Sequence, residues 1–363
     1  MISAKTQCSK SKIVGVLLLS ICFCLSQFNL SLANEEKGKI PTCSEHSRTK
    51  GLKTKTEIEY RFVEESGEYK KVLGKKTICR YDDKDNQIED AEYGADGKLF
   101  WKDIYKHDDK GNLIEWASYR AAGKLECKHL YKYDDKDNRI ECASYGANGK
   151  LFRKSIYKYD AKGNEIEDAL YGADGKLEWK FLYKYDDKNN KIEVAWYDWY
   201  DANGKLTGKN LRKYDDKGNQ IEEARYGADG KLTGKDISKY DDRSNKIEWT
   251  VYDYWYDADG KLFWKDLYKY NDRDNVIEWV RYGADGKLEK KSLAKYDDKD
   301  NQIENVWYGV DGKLGGKTLS KYDDKNNKTE QVEYRIEESL NKVNEVPTSQ
   351  TVWEYEFYTD PKK

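Results

Sequence analysis

Short segments in which apolar and polar residues alternate fill most of this chain, from about residue 53 to residue 334. The segments are about 8 to 10 residues long and contain β-branched and aromatic residues, without the spacing of an amphipathic helix. Two recurring signals separate them: Asp-Asp-Lys-Gly-Asn, as in residues 215–219, and Gly-Ala-Asp-Gly, as in residues 227–230. Asp, Asn and Gly tolerate left-handed backbone angles, so both signals predict tight turns between strands.

The pattern repeats with a nearly fixed period. The Tyr-Asp-Asp signal, or a variant of it, starts at residues 81, 107, 133, 159, 185, 214, 240, 270, 296 and 322, with spacings of 26, 26, 26, 26, 29, 26, 30, 26 and 26. Such a period is the signature of a tandem-repeat architecture. Each unit holds two strands and two turns, so ten units predict about 20 antiparallel strands in one continuous meander.

The sequence therefore predicts an all-β fold of tandem antiparallel β-hairpins. A flat sheet of this size is implausible because strand twist accumulates, so we expect a coiled or spiral sheet. We expect Tyr and Leu ladders on its inner face and Lys, Asp and Glu on the outside. Within one strand, Leu99 and Ile104 have opposite parity, which predicts a β-bulge or a twist between them.

The two ends of the chain are less regular than the repeats. We predict a polar leader at 34–52, an N-terminal cap at 53–80, hairpin repeats at 81–334 and a C-terminal cap and tail at 335–363, with a short helix at 335–344 and a final strand at 353–358. The two longer spacings are insertions before the same turn, at 201–204 and 257–260. They indicate either a working edge or drift at a tolerant hairpin tip.

The first residues differ from everything after them. Three lysines precede an uncharged apolar run at residues 13–25, which is too short to span a bilayer comfortably. Small residues follow, so we predict a secretory signal peptide at residues 1–33, cut between Ala33 and Asn34. The alternatives are an uncleaved anchor and, less favoured because a bulky residue precedes it, a lipoprotein starting at Cys22. The expected location is secreted, periplasmic or cell surface, with no transmembrane span in the mature chain.

Composition and charge narrow the function classes. The 363 residues include 66 Lys+Arg and 68 Asp+Glu, so there is no basic field that would favour nucleic acid as a partner. Removing the signal peptide changes the net charge to -2 - 3 = -5 and leaves Cys43, Cys79, Cys127 and Cys142. An oxidising compartment permits disulfides, and four cysteines allow three full pairings, which remain open.

The unit strongly resembles the YD repeat of the RHS family. The matching residues are Tyr-Lys-Tyr-Asp-Ala-Lys-Gly-Asn at 157–164 followed by a hydrophobic strand, and the resemblance covers about residues 78–334. It implies strand-turn-strand units in a spiralling sheet, in exported or surface proteins linked to carbohydrate binding or to encasing a toxin. The period of 26 is longer than usual, and the chain lacks an RHS core motif and a C-terminal toxin domain. The half-unit at residues 229–235 is also similar to a MORN-type repeat, which implies scaffolding.

Catalytic and cofactor signals are lacking. With three histidines and no Ser-His-Asp, Cys-His or phosphate-loop arrangement, we expect neither an enzyme nor a cofactor. The Asp-rich turns favour turn formation over calcium, because the full ligand spacing of a calcium loop is missing.

One cluster of Cys and His stands out. If a hairpin turns at residues 135–137, His129 lies roughly opposite Cys142, with Cys127 two residues along on the same face. Such a trio could hold zinc. A Cys127–Cys142 disulfide and plain variation at tolerant positions are the alternatives.

Recurring tryptophans are the best indication of function. One repeat position carries Trp101, Trp179 and Trp264, and another carries Trp116, Trp249 and Trp279. Exposed Trp rows could stack on sugar rings or bury a partner's apolar surface, whereas rings packed on neighbouring strands would only cover the sheet. We therefore expect a non-enzymatic binding module for glycan or cell-envelope surfaces. The alternative is a protein-interaction scaffold or structural surface protein without a small ligand.

Overall fold

The computed structural model describes residues 50–198, 204–253, 260–339 and 342–358. The predicted signal peptide, its cleavage site and nearly all of the leader lie outside these residues, as do most residues of both insertions. Among the described residues, strands account for almost all regular structure, and the all-β hairpin fold predicted from the sequence is confirmed. The strands are β1 Leu52–Glu65, β2 Glu68–Tyr81, β3 Gln87–Gly94, β4 Leu99–His107, β5 Leu113–Arg120, β6 Lys124–Tyr133, β7 Arg139–Gly146, β8 Leu151–Tyr159, β9 Glu165–Gly172, β10 Leu177–Tyr185, β11 Lys191–Asp198, β12 Lys205–Tyr214, β13 Gln220–Gly227, β14 Leu232–Tyr240, β15 Lys246–Asp253, β16 Lys261–Tyr270, β17 Val276–Gly283, β18 Leu288–Tyr296, β19 Gln302–Tyr308, β20 Leu314–Tyr322, β21 Lys328–Ser339 and β22 Lys342–Phe357.

The first turn of each unit is held by its own aspartate. Asp82 Oδ1 accepts hydrogen bonds from the main-chain N–H of Lys84 at 2.9 Å and of Asn86 at 2.8 Å. The Asn86 side-chain amide donates to Asp82 Oδ2 at 3.0 Å. Asp85, between them, has a φ of 65°, which Asp, Asn and Gly accept more readily than other residues. Copies of this arrangement explain why the Asp-Asp-Lys-x-Asn signal recurs.

The second turn depends on its last glycine. Gly230 has a φ of 76°, as expected for a tight hairpin tip, and its N–H donates to the carbonyl of Gly227 at 3.0 Å. Asp229 Oδ1 accepts from the N–H of Lys231 at 3.0 Å. A Cβ at Gly230 would meet no atom within 4 Å, so only the backbone angle restricts this position.

Replacing Gly230 by valine should therefore lower stability through the backbone alone. We expect Gly230→Val to cost about 1–3 kcal/mol, because a branched residue is forced into left-handed angles. Chemical denaturation measures the change, and Ala228→Val in the same turn is the control with no such requirement. Equal midpoints for Gly230→Val and wild type would show that this turn relaxes without cost.

Two bulges per unit set the register. Trp101 pairs with Glu92 and Leu99 with Tyr93, which leaves Phe100 as the extra residue. The bulge predicted between Leu99 and Ile104 is therefore confirmed. The second bulge leaves a residue such as Ile114 unmatched in the ladder, and both bulged side chains are exposed.

A row of tyrosine hydroxyls ties successive units together. Numbering each unit from the Tyr of Tyr-Asp-Asp as position 1, the position-1 hydroxyl donates to the carbonyl of position 7 in the preceding unit. Tyr133 reaches Leu113 O and Tyr159 reaches Arg139 O, each at 2.8 Å. The same bond recurs at Tyr185, Tyr214, Tyr240, Tyr270, Tyr296 and Tyr322.

The sheet closes on itself. β1 pairs antiparallel with β2 on one side and with β22 on the other, so the 22 strands form one closed sheet. Tyr358 crosses the seam, where its N–H donates to Gly51 O at 2.9 Å and its hydroxyl to Tyr81 O at 2.7 Å.

The helix predicted at residues 335–344 is wrong. Within the described part of that range, residues 335–339 belong to β21 and residues 342–344 begin β22. These strands pair over a long register, from Glu330↔Val352 to Ser339↔Lys342, so tertiary pairing overrides the local helical preference. The strand predicted at residues 353–358 is confirmed, since it is the end of β22.

Candidate binding face

The two faces of the sheet differ in how much they vary among units. Directly paired residues lie on the same face, so pairings such as Ala117↔Lys128 and Trp116↔His129 separate the two sets. In the two units with a lengthened turn, the positions after the turn are counted back from the start of the next unit. Position 9 is then Glu and position 13 is Tyr in every complete unit. Positions 22 and 26 are Lys, and position 24 is Ile or Leu. These residues, with the small position 11, form what we call the constant face. Positions 10, 12, 21, 23 and 25 differ among the units, although position 25 is Tyr in the first four, and they form the variable face.

The constant face carries a ladder of ion pairs. Glu115 accepts from Lys106 in the preceding strand and from Lys128 in the following strand, each at 2.9 Å. Both lysines lower the pKa of Glu115 below its ordinary value. The position-26 lysines are largely exposed, 60% for Lys106, so this face is in contact with solvent. The prediction that Leu and the charged residues Lys and Glu lie on different faces is wrong. Leu130 pairs directly with Glu115 and therefore lies on the same face.

The variable face is the more buried of the two. Tyr131 and Tyr157 are each 8% exposed, and Ser155 and Leu170 are each 1% exposed. Side chains converge on the concave side of a closed sheet, so we assign the variable face to the interior. Tyrosines at position 25 therefore lie inside, as expected, but with polar rather than leucine neighbours.

All six tryptophans singled out in the sequence lie on the variable face. Trp101, Trp179 and Trp264 occupy position 21, and Trp116, Trp249 and Trp279 occupy position 10. Each is part-buried, so none is a fully exposed ring.

Neighbouring side chains contact these rings. Trp116 stacks on His129 with ring centroids 4.6 Å apart, and Trp249 meets Trp264 edge-on at 4.5 Å. The guanidinium carbon of Arg281 lies 4.1 Å from the Trp264 ring centroid. The tryptophans thus combine packing with a remaining accessible surface.

Large and small residues are matched across this face, which sequence inspection missed. Trp196 pairs with Gly208, Arg225 with Gly234 and Trp307 with Gly316. In each pair a glycine at position 21 faces a bulky position 12 of the same unit, so the ring or guanidinium fills the space. The signal in the sequence was the appearance of glycine at position 21 of only those units.

The structure separates the Cys and His trio. His129 lies opposite Ser144 and accepts or donates a hydrogen bond with it at 2.9 Å, whereas Cys142 lies opposite Tyr131. Cys127 pairs with Gly146, four residues along from Cys142, and the Cys142 thiol is free. All three residues lie on the variable face, as predicted, but the predicted pairing of His129 with Cys142 was wrong by two residues, of which the first-turn bulge accounts for one. No group of three or more potential metal ligands occurs in the described residues.

Burial controls the ionisation of this region. It lowers the pKa of His129 to about 4 and raises that of the Cys142 thiol to about 11. Near neutral pH both groups are uncharged, and Cys142 is a poor nucleophile.

Two facing carboxyls lie on the variable face near the seam. Asp90 pairs directly with Asp103, and Cys79 donates to Asp90 Oδ1 at 3.6 Å. Burial, with a further contribution from Asp103, raises the pKa of Asp90 to about 7. Burial also raises the pKa of Asp103.

This pair should make stability fall as pH rises. A raised acid pKa means that stability is intact below the unfolded pKa and is lost as pH rises towards about 7. We expect Asp90→Asn to raise the free energy of unfolding by on the order of 3 kcal/mol at pH 8 and by much less at pH 4.5. Comparing the variant with wild type at the same pH cancels the contribution of His129. Its lowered pKa makes stability rise with pH, the opposite of the effect of Asp90. Asp83→Asn in the first turn is the control, and a pH-independent gain from Asp90→Asn would contradict the assignment.

Comparisons with known proteins give no family. No protein-family model and no curated protein matches the chain. Solved structures similar to it include TcdB2-TccC3-Cdc42, at TM-score 0.32 and 12% identity over 84% of this chain, and the Photorhabdus luminescens Tc holotoxin pore, at 0.29 and 11% over 83%. The chain spans 20% of each of those chains. A porin-like protein from Bacteroides uniformis gives TM-score 0.26 and 11% identity over 83% of this chain and 97% of that one.

The structure contains, among the described residues, no helix with the length and apolar character needed to cross a bilayer.

Proposed function

We propose that this chain is an exported, non-enzymatic binding protein that holds a glycan of a cell envelope against its variable face. The observation that carries the proposal is that residues of the constant face are kept among the units, whereas residues of the variable face differ. Positions that form ion pairs and close packing are constant, while aromatic and polar positions on the other face differ among the units. A framework that is kept while one face varies is typical of repeat proteins that recognise a ligand along their length.

The chemistry of the variable face suits a sugar chain. The six tryptophans are part-buried, so each keeps some accessible surface on which the C–H face of a sugar can stack. Between them lie carboxyl, amide, hydroxyl and guanidinium groups that can bond to sugar hydroxyls. The resemblance of residues 78–334 to YD repeats supports both the carbohydrate ligand and the secreted or surface location.

The competing function is a protein-interaction scaffold or structural surface protein. The contacts of Trp116 with His129 and of Trp249 with Trp264 favour it, because rings that pack on neighbours stabilise the sheet without a ligand. In that case the variable face differs between units only to fill space.

Replacing three tryptophans separates the two functions. We expect wild type to be retained on purified envelope glycan at both low and high salt, because stacking is short-ranged and nearly insensitive to screening. Combined Trp101→Ala, Trp179→Ala and Trp264→Ala should abolish retention at both salts. Retention is measured by affinity chromatography, with circular dichroism confirming the fold.

The control uses the phenylalanines at the bulged position next to each of two tryptophans and in one further unit, which are exposed and contribute no tryptophan ring. Combined Phe100→Ala, Phe152→Ala and Phe263→Ala should leave retention unchanged. If the tryptophan variant is unstable, leucine replaces alanine to keep the packing volume. Retention of a folded tryptophan variant, or release of wild type by salt alone, would favour the scaffold.

A further inference from the structure

Arg139 occupies an unusual place on the variable face. It starts β7, and its guanidinium carbon lies 4.6 Å from the ring centroid of Tyr157 and 6.0 Å from that of Tyr131. Both tyrosines are 8% exposed, whereas Arg139 itself is only half-buried. Its Nε is buried and has no hydrogen-bond partner.

Other arginines on this side of the sheet are neutralised by a carboxylate. The pairs are Arg120–Glu126, Arg153–Glu178, Arg212–Glu223, Arg225–Asp236 and Arg281–Asp266, at 2.7 to 3.0 Å. Arg139 forms no ion pair in the described part of the chain. Its guanidinium contacts the rings of Tyr157 and Tyr131 and has no carboxylate bonded to it there, so its N–H groups are left for a partner from outside the fold.

Two polar groups close to Tyr157 are also without hydrogen-bond partners among the described residues. Asp168 pairs directly with Tyr157, so Arg139 and Asp168 flank that ring from opposite sides without reaching salt-bridge distance. Asp168 is 7% exposed and its Oδ1 has no hydrogen-bond partner. Ser155, 1% exposed in the same strand as Tyr157, likewise has an unpartnered Oγ.

We propose that Arg139, Ser155 and Asp168, together with the flanking rings of Tyr131 and Tyr157, form a subsite for the carboxylate of an acidic sugar. The guanidinium would bind the carboxylate through two parallel N–H bonds. The tyrosine rings would hold the guanidinium in place, as Tyr157 does at 4.6 Å, and Ser155 and Asp168 would bond to the sugar hydroxyls. This inference rests on the proposed glycan-binding function and names the class of glycan, one that contains uronic acid residues.

A carboxylate fits the site better than a phosphate does. Burial raises the pKa of Asp168 to about 7, so near neutral pH part of the population is protonated and can donate to an anion. A second negative charge on the ligand would lie close to the ionised fraction of Asp168 and be repelled. Arg139 supplies a single neutralising charge, which matches one carboxylate.

The test compares a galacturonic acid oligosaccharide with a neutral galactose oligosaccharide of the same length, using calorimetry on the full exported chain. We expect wild type to favour the acidic oligosaccharide by at least about tenfold in Kd. Arg139→Gln should remove that preference and leave weak binding of both. Arg243→Gln, which removes a first-turn arginine whose carboxylate partner is Asp274, should keep the preference.

A thermal melt adds a readout that a merely structural arginine would not give. Without ligand, Arg139→Gln should melt at or above wild type, since it removes an unpaired charge. The acidic oligosaccharide should raise the Tm of wild type and not that of the variant. If Arg139→Gln fails to fold, Arg139→Met keeps the apolar stem without the charge and provides the same comparison.

The outcomes distinguish this inference from the proposed function. Tryptophan-dependent binding of the neutral oligosaccharide, with no acidic preference, overturns the subsite and leaves glycan binding intact. A preference that survives Arg139→Gln overturns the subsite as well. Equal affinity for acetate and for galacturonate would overturn the sugar component, and absence of any glycan binding by wild type would overturn both proposals.

Discussion

Removing one whole unit should leave a folded protein, whereas removing half a unit should not. Deleting residues 296–321, which are 26 residues, joins Lys295 to Tyr322 and takes out two strands together. β18 can then pair with β21, and the position-1 tyrosine bond can form again with Val276 O. The deletion also removes Trp307 and Gly316 as a pair, so it leaves neither a cavity nor a clash between them.

Half a unit has a different consequence because the sheet is closed. Deleting residues 296–308, which are 13 residues, removes one turn and one strand and leaves 22 - 1 = 21 strands. Strand direction alternates around an antiparallel ring, so an odd number cannot close with antiparallel pairs alone. The last strand would meet β1 in parallel, and the hydrogen bonds of the seam from Leu52 to Arg61 would be lost.

Far-UV circular dichroism and thermal melting measure both variants. We expect the whole-unit deletion to keep the strand spectrum and one cooperative transition. The half-unit deletion should lose the transition or aggregate through its exposed edges. Equal damage from the two deletions would contradict the modular architecture, and equal tolerance would contradict closure.

The repeat period and the turn chemistry made the hairpins predictable from sequence. Asp82 and Gly230 act through local bonds and backbone angles, and local rules suffice for such residues. Closure was not predictable, because it depends on the accumulated twist and tilt of 22 strands meeting at β1 and β22. No local pattern encodes that sum.

The candidate site was predictable in part for the same reason. The tryptophan positions follow from the period, and the structure brings all six to one face. The partners of Cys142 and His129 required the register, which one bulged residue per turn shifts by a single place. Arg139 could not be singled out, because what distinguishes it is a missing carboxylate, and a missing neighbour becomes visible only in three dimensions.

The matched large and small residues of the variable face should make identical substitutions differ sharply in cost. A Cβ at Gly208 would lie 2.5 Å from Trp196 Cζ2 and 2.7 Å from the carbonyl oxygen of Tyr226. Neither a packed indole nor a strand carbonyl can move cheaply. At Gly234 a Cβ would meet only the guanidinium end of Arg225, at 2.6 Å. That side chain is long and can swing aside, although it would weaken its ion pair with Asp236.

We therefore expect Gly208→Ala to lower the free energy of unfolding by about 2–3 kcal/mol, within the range for overpacked interiors. Gly234→Ala, the same change at the same repeat position, should cost less than about 1 kcal/mol, the order of a part-exposed ion pair. Urea denaturation monitored by circular dichroism compares the two variants directly. Adding Trp196→Ala to Gly208→Ala should restore only part of the loss, because the Tyr226 carbonyl still obstructs the methyl group. Equal costs at the two glycines would mean that the indole and the neighbouring strand yield as easily as an arginine side chain, and that the variable face is not packed pair by pair.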